Sequence, residues 1–280
     1  MQLSTLARDC LVVNWALPLS TAPELPHPLR YEVHSSGGQE WVFTSALHFR
    51  LSGLRLESLP FARVSYPQMS LRLYVLDGDG LPSVLFWRTL VPFWIAPLSL
   101  VFAGQGASAA SFNYPSPSAD PGAGEWRWSV ERRRKVEVWG RMASPWNGRG
   151  PSLGSWEKTV DYFHNRRRGY AMWDDRLRSL RSSHPKTPIW PLEVEIAEAG
   201  LLGEYLDEVP AEIWEAPHSA WLCPEIPFHF ELGKPMTLPI PSGRRVPAAE
   251  GLSSSGGWQL GARRASLHWR PRGKAQAQRH

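Results

Sequence analysis

Cysteine, lysine and long apolar runs are all scarce in this 280-residue chain, and each shortage excludes something. The two cysteines, Cys10 and Cys223, lie in apolar segments with no neighbouring Cys or His at ligand spacing. They read as small buried hydrophobes in a reducing compartment, and no metal site is expected. Sequence separation says nothing about distance in space, so a single disulfide between them stays open. Even the apolar run from Ser83 to Ala103 is broken by Arg88, Pro92 and Pro97, so it cannot supply the roughly eighteen apolar residues of a membrane-spanning helix. The stretch from Cys10 to Leu19, with small residues at Ser20 to Ala22, faintly imitates a secretory signal. Against that, Arg8 is offset by Asp9, Asn14 interrupts the apolar run and Pro18 and Pro23 follow, so a first β-strand is the better reading. A cytoplasmic protein with no membrane partner is expected. Also missing are a Gly-x-Ser-x-Gly elbow, a P-loop, a paired-carboxylate motif and the glycine-rich strand-to-helix turn of a dinucleotide fold, so no cofactor is expected.

What the chain does have is apolar bulk: 42% hydrophobic residues and 15 tryptophans, enough for a real core. Its net charge of +5 is unevenly placed. Residues 243–280 carry eight basic side chains against the single acid Glu250, a local +7 that leaves −2 for residues 1–242. From about Met236 the sequence is rich in Pro, Gly, Ser and Arg without sustained periodicity. Two regions are therefore expected, a folded body over residues 1–235 and a disordered tail over 236–280. Trp258, Trp269 and His268 are the tail's few rings able to stack on bases, which makes nucleic acid an unlikely partner.

Period-two alternation bounded by turn residues dominates the body and predicts antiparallel strands. In "EWVFTSALHFRL", Trp41, Phe43, Leu47, Phe49 and Leu51 share one face, opposite Thr44, His48 and Arg50. In "MSLRLYVL", Leu71, Leu73 and Val75 oppose Ser70, Arg72 and Tyr74, and "DGDG" at Asp77 to Gly80 turns the chain into a strand near Ser83. "EWRWSVERRRKVEVWG" alternates again through Trp126, Trp128, Val130, Val136 and Val138, with Arg132 to Arg134 read as part of a strand. One helix is expected from an N-cap at Ser155 through Trp156, Val160 and Phe163, ending at Gly169, with Arg166 to Arg168 at its C-terminus. "PLEVEI" reads as a strand, and "GLLGEYLDEVP" as a short helix or turn. Many strands, few helices and no βαβ rhythm place the chain in a mainly β (α+β) class, a barrel or sandwich.

Four ordered segments resemble one family, the YqjF-like proteins of unknown function, whose fold is assigned by similarity to acetoacetate decarboxylase. They are "DCLVVNWALP"; "YPQMSLRLYV", where Ser70 replaces the usual Asn; "WEKTVDYFHNRRRGYAMW", through Phe163, Gly169 and Tyr170; and "HPKTPIWPL", through His184, Pro185 and Trp190. The resemblance covers roughly residues 8–235. It implies an antiparallel acetoacetate-decarboxylase-like β-barrel with one or two peripheral helices and a central cavity. It also implies a lysine pair after a glycine-containing turn, the cationic neighbour lowering the nucleophile's pKa for Schiff-base chemistry. Here Gly104, Gln105 and Gly106 occupy the comparable turn and Ala107 and Ser108 stand where the lysines belong. Of the chain's five lysines only Lys135 lies in an expected core strand, on a polar face with Glu131, Arg133 and Glu137.

Function has to be argued from the site and not from the fold. Arg72 could clamp a carboxylate or enolate beside Tyr74, or form a structural ion pair. Arg88 interrupts the apolar face of Val84, Phe86 and Leu90, so it faces a cavity or marks a register change. His48 is a candidate base and Gln105 a candidate oxygen ligand. The expected function is binding of an unknown small molecule in the barrel, with action on a carbonyl or carboxylate compound left open. The alternative is a barrel filled by its own side chains. An exposed sheet edge would make a homodimer unsurprising.

Overall fold

The computed structural model describes residues 1–103, 107–117, 124–173 and 176–237. Gln105 with its flanking glycines, and the basic tail from residue 238 onward, lie outside the described residues. Fourteen strands carry the described fold: β1 (Gln2–Pro18), β2 (Arg30–Tyr31), β3 (His34–Ser36), β4 (Gln39–Leu56), β5 (Val64–Leu76), β6 (Pro82–Val91), β7 (Ser108–Ala109), β8 (Ser111–Asn113), β9 (Glu125–Glu131), β10 (Lys135–Met142), β11 (Arg168–Trp173), β12 (Arg176–Ser183), β13 (Trp190–Glu198) and β14 (Ser219–Thr237). Four α-helices accompany them, α1 (Ala96–Ala103), α2 (Trp156–His164), α3 (Gly200–Tyr205) and α4 (Ala211–Trp214), with one 3-10 turn at Leu19–Thr21. The protein is mainly β, as its alternation predicts, with more helices than the one or two expected. No helix among the described residues is long and apolar enough to cross a membrane.

Pairing runs full circle through seven strands, in the order β1-β4-β5-β6-β11-β12-β14, and returns to β1 because β1 and β14 also pair, from Gln2↔Glu231 to Asn14↔Ser219. A second set, β13-β10-β9-β8, joins at β14 through Trp190↔Leu222 and Pro191↔Trp221. Antiparallel pairing holds nearly throughout. The exceptions are β6 with β11 and β6 with β7, both parallel. The chain between β6 and β11 includes β9, β10 and α2, the long excursion that a parallel neighbour requires.

Two apolar clusters occupy the two faces of the ring strands. Leu11, Val13 and Trp15 of β1 with Leu71, Leu73 and Val75 of β5 pack against Trp128, Val136 and Val138 of the second sheet and Trp214 of α4. Cys10 and Val12, Phe43 and Phe49, Tyr74, Val84, Trp221 and Cys223 face the other way and pack with Phe163 of α2. Both faces of β4 are thus buried, and Thr44 and His48, expected on a polar face, are 0% exposed because the second sheet covers them.

The β5–β6 hairpin forms where "DGDG" predicts it. Asp77 Oδ1 accepts from the N–H of Asp79 (3.0 Å) and of Leu81 (2.9 Å), and Gly80 takes φ 79°. Helix α2 starts as read, with Ser155 Oγ accepting from the N–H of Lys158. It ends at an Asn165 cap and not at Gly169, which lies inside β11. A Cβ at Gly169 would stand 2.8 Å from a Phe86 ring carbon and 3.1 Å from Leu180, so close strand packing, not helix termination, demands the glycine. Arg132 to Arg134 likewise form the turn between β9 and β10 instead of continuing a strand.

Candidate functional site

Alternation on β5 turns Ser70, Arg72 and Tyr74 toward α2, and the register Ser45↔Arg72 sets Ser45 of β4 beside them. Arg72 Nε donates to Ser45 Oγ (3.0 Å) and Nη2 donates to Tyr74 Oη (3.1 Å). Tyr74 Oη lies 3.3 Å from the Phe163 carbonyl, which can only accept, so the tyrosine proton goes there. Ser45 must then donate to Tyr74 across their 3.1 Å contact. Every hydrogen-bond partner of this guanidinium among the described residues is therefore a neutral oxygen, and the Tyr74 ring lies 5.8 Å from it. Among the described residues no carboxylate pairs with Arg72.

The neighbouring Arg166 supplies the contrast. At a helix C-terminus the macrodipole favours a cation without any partner, yet Arg166 is buried, over the rings of Tyr162 (4.1 Å) and Tyr74 (5.5 Å), and its charge is met by Glu32 at 2.7 Å. Two arginines thus flank Tyr74, one neutralised by the protein and one not. The Arg72 charge also reaches Cys10, Cys223 and His164. Burial pushes the Cys10 thiol up and Cys223 up to about 12, so both are protonated thiols. Their strands pair Cys10↔Cys223, and both are free cysteines. His164 closes α2, and burial, followed by His184 and Arg72, drives its pKa down to about 4. Its Nε2 is buried without a hydrogen-bond partner among the described residues.

The other expected site residues are not brought to Arg72 and Tyr74. His48 lies on the opposite face of β4, its Nδ1 3.1 Å from Tyr114 Oη. Arg88 stacks over Trp87 (5.1 Å) and Tyr205 (5.6 Å). It sits at a register shift, since Leu71 pairs with Arg88 while Arg72 pairs with Phe86, so its place in an apolar strand marks a bulge. Gln105 lies outside the described residues. Ser45, His164 and His184 carry no signal of a site in the sequence. Ser45 is two residues from a phenylalanine on a face read as apolar, and only the fold brings α2 over β5.

Lys135 pairs with Glu137, whose carboxyl is drawn down to about 2 first by Lys135 and then by Arg127. Lys158 and Lys186 are exposed. An open cleft of about 400 Å³ lies elsewhere, along β1, β12 and β14, bordered by Gln2, Glu57, Arg181 and His229. Its charges are partly satisfied internally, His229 facing Glu57 at 3.7 Å and Arg168 bound to Asp77 at 2.8 Å, so we place the candidate site at Arg72.

Three solved structures share the fold. An enduracididine biosynthesis enzyme, MppR, complexed with pyruvate matches at 12% identity with a TM-score of 0.58, covering 85% of this chain and 90% of that one. An acetoacetate decarboxylase-like enzyme from Sphingomonas wittichii RW1 matches at 14% identity and a TM-score of 0.50, covering 84% and 92%. An acetoacetate decarboxylase matches at 8% identity and a TM-score of 0.50, covering 85% and 91%. No curated protein matches the chain. A family model does match, over residues 5–227, and the chain therefore belongs to DUF2071, the family described as an uncharacterized conserved protein (COG2071).

Proposed function

We propose that the protein binds a small carboxylate on the α2 side of the ring, with Arg72 as the anion's anchor and Tyr74 and Ser45 holding the guanidinium in place. The observation that carries this reading is the contrast between the two arginines. A half-buried guanidinium is normally met by a carboxylate, as Glu32 meets Arg166, whereas Arg72 has only neutral partners among the described residues. A planar fork with unused N–H groups suits a carboxylate or enolate. The fold neighbour complexed with pyruvate makes a short 2-oxo acid a sensible first probe. Schiff-base chemistry has no support at Lys135, Lys158 or Lys186, so the reading is one of anion binding without an adduct at these three lysines.

A second reading rests on its own observation. Phe43, Tyr74, Tyr162 and Phe163 pack with ring centroids 4.9 to 5.6 Å apart, which would suit an interior filled by its own side chains. Calorimetric titration with pyruvate separates the two. Saturable binding by the wild type, weakened about 100-fold or more in Arg72→Met, is expected for the carboxylate site. Borohydride added with pyruvate should leave the protein mass unchanged. Absence of binding to pyruvate and acetoacetate, or equal binding by Arg72→Met, would favour the filled interior.

A further inference from the structure

The path of hydrogen bonds out of Arg72 leads to a second polar group. Nη2 donates to Tyr74 Oη, and Tyr74 donates to the carbonyl of Phe163. That carbonyl belongs to the peptide unit whose nitrogen is His164. The root of the His164 side chain is therefore two hydrogen bonds and one planar peptide from the guanidinium.

His164 is the last residue of α2, and its Nε2 is buried with no partner among the described residues. An imidazole nitrogen left dry and unbonded is costly, and a bound group that completes it is one explanation of such an atom. Its ring is held edge-on by His184, centroids 4.6 Å apart at 71°, and His184 in turn packs against Phe228 at 5.0 Å. His184 Nδ1 lies 3.0 Å from the Pro185 carbonyl, so that nitrogen must carry the proton and the His184 ring is fixed. Burial keeps His164 neutral near pH 7, able to offer an N–H without adding a charge beside Arg72.

We propose that His164 is a ligand-contacting specificity residue, its Nε2–H donating to the oxygen adjacent to the carboxylate of a 2-oxo acid anchored on Arg72, with His184 as the positioning residue behind it. This rests on the carboxylate reading of Arg72. It adds that the site distinguishes a 2-oxo acid from the plain acid of the same length, because a donor left unpaired disfavours the ligand lacking that oxygen.

The test compares pyruvate with propanoate by calorimetric titration of the full chain. The wild type should bind pyruvate at least tenfold more tightly. His164→Phe should lose that preference while retaining propanoate binding, and His164→Gln, which keeps an N–H donor, should recover part of it. On adding pyruvate, the nitrogen-15 resonance of His164 Nε2 should move while that of His48 stays. Equal binding of the two acids by the wild type, or a His164→Phe variant that keeps the preference or loses both ligands alike, overturns the role of His164. If His164→Phe does not fold, the Gln variant and the nitrogen-15 shift decide. Loss of the preference in His164→Phe alongside unchanged binding in Arg72→Met would instead overturn the anchor.

Discussion

His48 shows how a polar residue that looks reactive in a sequence is disposed of by its surroundings. Tyr114 Oη donates to the Gln68 carbonyl at 3.2 Å, so at the 3.1 Å contact between Tyr114 and His48 it is Nδ1 that donates. The bare Nε2 is sealed in the core without a partner among the described residues, and burial pushes the pKa down to about 3. The unfolded chain takes up this proton near the ordinary histidine value, whereas the folded chain does so only near pH 3. Stability contributed by the neutral ring is therefore full above the unfolded value and lost as pH falls below it, at up to about 1.4 kcal/mol per pH unit. His164, pushed down to about 4, acts in the same sense. Urea unfolding between about pH 6.5 and 4.5 should show this slope, and His48→Leu should reduce it by one proton. An unchanged slope in that variant would mean that His48 takes up its proton in the folded state.

At the scale of elements, the parallel seam between β6 and β11 is the short one in the ring, four register pairs from Arg168↔Ser83 to Ala171↔Phe86. Gly169 lies at its centre. Gly169→Ala would drive a methyl into the Phe86 ring at 2.8 Å and into Leu180 at 3.1 Å, and we expect it to cost about 1–3 kcal/mol, read as a lowered urea midpoint. Wild-type stability in that variant would mean that Phe86 swings aside freely. This glycine is conspicuous in the sequence but points to the wrong element, because a glycine a few residues beyond an amphipathic stripe is the usual sign of a helix end. Helix α1 is hidden for a related reason: "APLSLVFA" is apolar nearly all round and offers no stripe. What is legible is alternation with its turns, and so β4, β5, the β5–β6 hairpin, the β9–β10 pair and the start of α2. Alternation also separates Arg72 and Tyr74 from Leu71 and Leu73. It cannot tell that both faces are covered, since which element packs on a strand's second face is a matter of topology.

For the whole molecule, the change in charge falls close to the last described register pair. Residues 1–242 carry −2 and residues 243–280 carry +7, while the last register pair of β14 is Arg176↔Thr237. A chain ending at Thr237 keeps every described strand pairing and both apolar clusters. We expect that truncation to shift the melting temperature by no more than about 2 °C, the response to roughly half a kcal/mol in a domain of this size. The same truncation reverses the sign of the net charge from +5 to −2, because residues 238–242 bear none. If the full chain associates with nucleic acid through its arginines, retention on immobilised single-stranded DNA should weaken steeply with salt and vanish on truncation, while pyruvate binding at Arg72 is unchanged. Retention that survives the truncation would place the anion-attracting surface in the folded body, where the cleft bordered by Arg181 would become the first place to look.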